Sequence, residues 1–188
     1  MKELSLAILE LLAMSLGVER LHYRKFFEDG SSIMRGNHYP PCKEAGLTLG
    51  TGPHCDPTSL TILHQDQVGG LQIFFDGKWR AIRPCPGALV INIGDTFMAL
   101  SNGKYKSCLH RAVVNKDRAR RSLVFFVNPK EDKIVKAPQE ETRQYPDFTW
   151  SDLRKFTQNH YRADGTTLQN FVHWLSLLQD KRHNLHQL

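Results

Sequence analysis

No dense cysteine framework runs through this chain: Cys42, Cys55, Cys85 and Cys108 are scattered over 188 residues without a Cys-x-x-Cys pair. Such scarcity excludes a disulfide-stapled scaffold and argues against structural zinc, leaving reduced thiols in a cytosolic protein as the expectation. Also missing is an apolar run of membrane-spanning length, since Leu4 to Leu16 is broken by Glu10 and is too short to cross a bilayer. Repeats and low-complexity tracts are absent, so 188 residues at 40% hydrophobic content read as one soluble domain with a real core. Acidic residues are in the minority, giving a net charge of +6. The basic residues are dispersed, however, and one cluster (Lys116, Arg118, Arg120, Arg121) falls at an expected hairpin and reads as a solvated face, so nucleic acid is not an expected partner. Anionic small molecules suit the same charge.

What is present centres on Gly50-Thr51-Gly52-Pro53-His54-Cys55-Asp56-Pro57. In an extended strand residues i and i+2 share a face, so His54 and Asp56 can aim at one point. A mononuclear iron(II) oxygenase needs two neutral imidazoles and one carboxylate on one face of the ion, with the remaining positions open. A third ligand must then be a distant histidine. The chain contains a second His-x-Asp, His64-Gln65-Asp66, but it runs into Gln67-Val68-Gly69-Gly70 and reads as the polar exit of a strand into a turn.

Along the chain, Leu4, Ile8, Leu11, Leu12 and Ser15 recur at helical spacing with Gly17 as the stop, which predicts an amphipathic helix; a secretory leader with its cleavage site near Ala13 and Ser15 is the alternative. Leu21 to Phe27 reads as a further helical turn or a connection. Ser32 to Tyr39 reads as a strand stopped by Pro40-Pro41. Tyr39 is either a packed strand aromatic or a phenol that hydrogen-bonds a bound acid. Thr58 to Leu63 is expected to continue the strand that carries His54 and Asp56. Leu71 to Phe75, Asp76-Gly77 and Lys78 to Ile82 form a hairpin signal, and Ala88 to Ile93 is an apolar strand ending at Gly94-Asp95. Many short strands with regular turns predict an antiparallel sandwich or barrel.

Ser107 to Val114 and Ala119 to Val127 are expected to pair across a turn at Asn115 to Arg118, with His110 on the first strand and Arg120, Ser122, Val124 and Phe126 on one face of the second. A lone strand histidine is usually a core or surface residue. An inward Arg plus Ser on the adjacent strand is harder to dismiss, because burying a guanidinium without an anion is costly. The tail is helical: Thr149-Trp150-Ser151-Asp152 resembles a capping box ahead of Leu153 to Tyr161, and Leu168, Phe171, Val172, Leu175 and Leu178 mark a second helix. Lys181 to Leu188 is expected to fray, with His183 and His186 solvated.

The set Asn37-His38-Tyr39-Pro40-Pro41-Cys42, His54-Cys55-Asp56, His110 and Arg120-Arg121-Ser122 resembles the plant 2-oxoglutarate- and iron(II)-dependent dioxygenases of the double-stranded β-helix fold. Leu47 to Gln72, Gly87 to Arg111, Phe148-Thr149-Trp150 and His160-Tyr161-Arg162-Ala163-Asp164 resemble the gibberellin 20-oxidase branch in particular. The resemblance implies a mainly β jelly-roll core at 31–145, a helical lead-in at 1–30 left from a longer N-terminal region, and C-terminal helices at 146–188. It implies His54, Asp56 and His110 as iron ligands, and Tyr39, Arg120 and Ser122 as the holders of the distal carboxylate of 2-oxoglutarate. The implied reaction consumes oxygen, with ascorbate as reductant, converts 2-oxoglutarate to succinate and carbon dioxide, and oxidises C-20 of a diterpenoid acid. A cytoplasmic monomer is implied as well. Two alternatives share the motif: a sister dioxygenase acting on another plant small molecule, and a truncated homologue with impaired catalysis. His38 stands where the family often has a second tyrosine, and Gly36 where it has a larger residue.

Overall fold

Period-two alternation is plainest along Arg120–Val127, where Arg120, Ser122 and Val124 are buried while Arg121 and Leu123 are exposed. This is strand β8 of a computed structural model that describes residues 1–138, 142–160 and 162–185, without the side chains of 179–185. Before it come β1 (Ser32–Tyr39), β2 (Leu49–His54), β3 (Leu60–Gln65), β4 (Leu71–Phe75), β5 (Lys78–Ala81), β6 (Val90–Ile93) and β7 (His110–Val113); after it, the short β9 (Ile134–Val135) and β10 (Phe148–Thr149) pair with each other. Two four-stranded antiparallel sheets result, in the orders β1-β8-β3-β6 and β2-β7-β4-β5. The architecture is the antiparallel double-stranded β-helix.

Each face of the first sheet has its own job. Leu60 and Ile62 of β3 and Phe125 and Val127 of β8 point outwards into the main core, against helices α1 (Lys2–Ser15), α2 (His22–Phe27), α3 (Asp95–Leu100), α4 (Trp150–Asn159) and α5 (Thr167–Leu185). On the opposite face Leu63 and Val124 meet Leu71 of β4 in a small cluster. The apolar mass that holds the fold together therefore lies outside the sandwich, and the space between the sheets is left for polar side chains.

Local signals explain most boundaries. Asp76 and Gly77 both have positive φ, 53° and 70°, as a two-residue hairpin turn between β4 and β5 requires. Gly17, at φ 71°, ends α1, with the Val18 N–H reaching the Ala13 carbonyl and the Gly17 N–H the Met14 carbonyl. The Thr149–Asp152 capping box starts α4 as expected.

Several expectations need correction. Residues 49–54 and 60–65 are not one strand: β2 and β3 belong to different sheets. Pro57 cannot donate to a ladder and restricts Asp56 before it, so the chain leaves β2 and bends across to the other sheet. Nor do β7 and β8 pair. The turn between them, where the Asn115 side chain accepts from the Asp117 and Arg118 amides, carries the chain from β2's sheet to β1's. Arg120 leaves the supposed basic face and is buried at 1% exposure. The first helix forms, but it buries Ser5, Leu6, Leu9, Glu10 and Ala13, while Leu4 and Leu11 are exposed. Glu10 can sit on that face because Arg20 and Arg24 pair with it at 2.8 and 3.0 Å. Helix α3 was not anticipated after Gly94, and the backbone of α5 continues to Leu185 where fraying was expected. Tyr161 and His186 lie outside the described residues, as does the side chain of His183.

Candidate metal centre and acid-binding cleft

His54 is the last residue of β2 and His110 the first of β7, and they are register partners in one sheet. Two irregularities in that pairing, between Leu49 and Thr51 and between Thr51 and His54, set His54 opposite His110. Asp56 follows in the bend that crosses to the other sheet. The loop is pinned by the start of α3: the Asp95 amide donates to the Asp56 carbonyl at 2.8 Å, and the Thr96 hydroxyl to the Pro57 carbonyl at 2.6 Å. Gly94 is required there, since a Cβ would lie 2.0 Å from the Thr58 carbonyl oxygen.

The three side chains converge. Asp56 Oδ1 lies 3.5 Å from His54 Nε2 and 3.8 Å from His110 Nε2, and one ligand atom from each residue falls within 4.8 Å of the others. Each imidazole has its Nδ1 at 2.8 Å from a main-chain carbonyl, Gly52 for His54 and Cys108 for His110. A ring that donates from Nδ1 keeps its Nε2 lone pair free, and both free nitrogens face Asp56. The other carboxylate oxygen, Oδ2, accepts from the Thr61 hydroxyl at 2.6 Å. Two neutral imidazoles and one carboxylate, each oriented from behind, fit a divalent iron with open positions.

Protonation in the metal-free chain follows from the same contacts. Burial pulls the His54 pKa down, but the hydrogen bond and charge of Asp56 outweigh it and leave a net rise. At His110 burial dominates and the pKa falls, because Asp56 is farther away and the charge of His54 opposes a second cation. Asp56 itself is held below the usual carboxylate range, as burial is overcome by His54, His110 and Thr61.

The cleft that holds these residues is also lined by Tyr39, Arg120 and Ser122, so the structure gathers all six expected site residues around one space. Arg120 has its Nη2 3.4 Å from Gln65 Oε1, while its buried Nε has no hydrogen-bond partner among the described residues. Burial lowers its pKa, opposed by Tyr39 and Asp66. A guanidinium keeps its charge under such conditions, and a buried one with an unused N–H fits a bound carboxylate. Gly70 makes room for it: at φ 110°, an added Cβ would come within 2.5 Å of the Val113 oxygen and 3.1 Å of Arg120 Cδ. The Ser122 hydroxyl accepts from Asn37 at 3.3 Å, and the Tyr39 hydroxyl meets Thr51 at 2.9 Å. The second His-x-Asp is elsewhere: His64 is exposed, and Asp66 accepts from the Val68 and Arg121 amides.

Sequence reasoning missed Thr61, Asn37, Gln65 and Gly94. Thr61 and Gln65 share the inner face of β3 with Leu63, which alternation alone could have shown. The need for Gly94 arises only where two distant segments touch.

The sequence profile of the 2OG-Fe(II) oxygenase superfamily matches residues 30–129, which spans β1 to β8 and all six residues. The chain belongs to the 2OG-Fe(II) oxygenase superfamily. Among its members, gibberellin 20 oxidase 2 of Oryza sativa subsp. japonica is 67% identical over 178 residues, 94% of this chain and 46% of the relative. Gibberellin 20 oxidase 2 of Arabidopsis thaliana is 63% identical over 180 residues, covering 93% and 48%. This chain thus spans about half the length of the curated relatives it matches. Of solved oxygenases, the crystal structure of JOX2 in complex with 2OG, Fe and JA superimposes with a TM-score of 0.84 at 36% identity, over 90% of this chain and 53% of that one. The rice dioxygenase for auxin oxidation gives 0.77 at 27% identity, over 89% and 59%.

Proposed function

We propose that the chain binds iron(II) through His54, Asp56 and His110 and 2-oxoglutarate through Arg120, Ser122 and Tyr39, and that it is the catalytic portion of a gibberellin 20-oxidase. The observation that carries this reading is the convergence of two Nδ1-anchored imidazoles and the Asp56 carboxylate in a cleft that also holds an under-partnered buried guanidinium. Similarity to gibberellin 20 oxidases directs the reading to a diterpenoid acid. When bound, iron(II) with 2-oxoglutarate and oxygen supplies the oxidation of the substrate's C-20, releasing succinate and carbon dioxide, and ascorbate keeps the metal reduced.

The protein's own part is orientation. The Gly52 and Cys108 carbonyls fix both imidazole tautomers, and Thr61 turns Asp56 so that Oδ1 faces them. Arg120 offers a planar fork to the far carboxylate of 2-oxoglutarate, with the Ser122 hydroxyl beside it and Tyr39 on the paired strand. Leu63, Leu71 and Val124, packed together, give this end of the cleft an apolar wall. Four free cysteines suit a reducing compartment, and we assign the protein to the cytoplasm as a monomer.

Anaerobic titration with iron(II) and 2-oxoglutarate, followed by admission of air with and without a C-20 gibberellin precursor, tests the reading. Succinate that rises with the precursor, together with an oxidised gibberellin, is the expected result. Succinate that rises instead with another small acid assigns the chain to a sister dioxygenase, a reading favoured by its structural likeness to JOX2 and to the rice dioxygenase for auxin oxidation. Failure to bind iron(II) and 2-oxoglutarate defeats the proposal altogether.

A further inference from the structure

The register of β1 against β8 sorts the inner face of β1. Tyr39 lies opposite Arg120, Asn37 opposite Ser122, Arg35 opposite Val124 and Ile33 opposite Phe126. Val124 and Phe126 continue the inward face that carries Arg120 and Ser122, so Arg35 points into the same cleft, whose lining includes it. Four residues separate it from Tyr39, or about 13 Å along the strand. It therefore sits away from the Arg120 end, towards the open mouth.

The surroundings of Arg35 are one-sided. On its own sheet are Ile33, 58% exposed, and Phe126. Across the cleft, Leu71, Ile73 and Phe75 share the inner face of β4; Ile73 is the register partner of His110, and Phe75 is 62% exposed. These side chains form an apolar rim just beyond the His54–Asp56–His110 cluster. Arg80, the register partner of Ile73, is already engaged, lying over the Phe75 ring and 3.8 Å from Asp76. Arg111 donates to Gln72 and stacks on Trp79 at 4.2 Å. Among the described residues, Arg35 has no ion pair and no hydrogen bond from its side chain, yet its charge reaches His54.

We propose that Arg35 anchors a carboxylate of the substrate that is oxidised, with the apolar rim receiving the hydrocarbon body. The inference rests on the functional reading above and deepens it. A rigid apolar acid has one charged end and a body that water rejects, and the mouth offers one free guanidinium set among exposed Ile33 and Phe75 and half-buried Phe126. Pairing the carboxylate with Arg35 fixes which carbon faces the three metal-binding side chains. Arg120 is left to the cosubstrate, and the two acids are told apart by position along β1 and β8.

Calorimetric titration of the 188-residue chain, anaerobic and loaded with iron(II) and 2-oxoglutarate, tests this with two probes: a C-20 gibberellin precursor and abietic acid, each as free acid and methyl ester. Arg35→Met is expected to weaken binding of the free acids about 10- to 100-fold, as loss of a charge-assisted hydrogen-bonded pair does. It should leave the esters and 2-oxoglutarate within twofold, and Arg35→Lys should fall between. Arg35-dependent binding of abietic acid alone would uphold the anchor and overturn the gibberellin assignment. Four results would each overturn the anchor: unchanged acid affinity in Arg35→Met, equal losses for acid and ester, a parallel loss of 2-oxoglutarate, or no binding of either acid by the parent chain.

Discussion

Replacing Thr61 with valine removes one hydroxyl and keeps the shape of the side chain. That hydroxyl is 2.6 Å from Asp56 Oδ2, and both residues are buried, Thr61 at 2% and Asp56 at 5% exposure. Thr58 Oγ1 lies 3.3 Å from Thr61 Oγ1 and not on the carboxylate, so no described side chain is placed to substitute. A hydrogen bond to a charged group contributes about 1.5–3 kcal/mol, and loss of a partner behind a metal ligand typically lowers metal affinity about 10- to 100-fold. We expect a loss in that range for iron(II). Thr61 also helps hold the Asp56 pKa down, so its removal lets that pKa rise, and metal binding should begin at higher pH in the variant. Thr61→Ser keeps the hydroxyl and should retain near-parent affinity while losing some stability to the missing methyl. The assay is anaerobic competition for iron(II) against a chelator, run across pH. Parent-like affinity in Thr61→Val, or equal losses in the valine and serine variants, would refute the assigned role.

Three other outcomes follow from the structure. Gly70→Ala places a Cβ against the Val113 oxygen and Arg120 at φ 110°, so it should cost about 1–3 kcal/mol in denaturant unfolding and weaken 2-oxoglutarate binding; a variant with normal cosubstrate affinity would show that Arg120 is seated by other means. Leu9→Ala empties a fully buried position in the main core and should cost about 2–5 kcal/mol in the same unfolding measurement, a loss well under 1 kcal/mol counting against the packing described. Asp95 is fully buried, neither of its carboxylate oxygens has a hydrogen-bond partner among the described residues, and Ser107 nearby lacks hydrogen-bond geometry to it. Burial, helped by the charge of Asp56 and only partly offset by Ser107, pushes its pKa up from 3.8 to about 7. The native state therefore keeps a proton that the unfolded chain has lost, so this contribution is complete below about pH 3.8 and disappears as pH rises through 7. The metal-free parent should lose more stability between pH 5 and 8 than Asp95→Asn does, and parallel pH profiles would contradict it.

The strands were legible because their signals are local: alternation in β8, prolines after β1, and Asp-Gly between β4 and β5. The inward set Arg120, Ser122, Val124 and Phe126 followed from period two alone, and it was right whichever strand paired with β8. Pairing was another matter. Residues 107–127 read as a hairpin because two strands with a turn between them usually form one, and no local feature says that the chain changes sheets. The same limit applied at Pro57, where apolar residues on both sides of a bend suggested one strand. In α1 two overlapping stripes satisfy helical spacing, and only packing against α2 and the main core chooses Leu6, Leu9 and Ala13 over Leu4 and Leu11. The candidate ligand histidines were legible by residue type; the residues around them were not, because Thr61 and Gly94 act through contacts with segments remote from the motif or curled back upon it.

The irregular pairing of β2 with β7 imposes a rule on length. From Leu49 to His54 the chain advances five residues while its partner retreats only from Val113 to His110. Adding or removing one residue in that stretch turns His54 to the opposite face of the sheet, out of reach of Asp56. The exposed loop that joins β1 to β2 carries no such constraint. Insertions and deletions in homologous chains should therefore gather between Pro40 and Thr48 and stop abruptly at Leu49, so that the boundary between a tolerant and an intolerant segment can be read by counting residues alone.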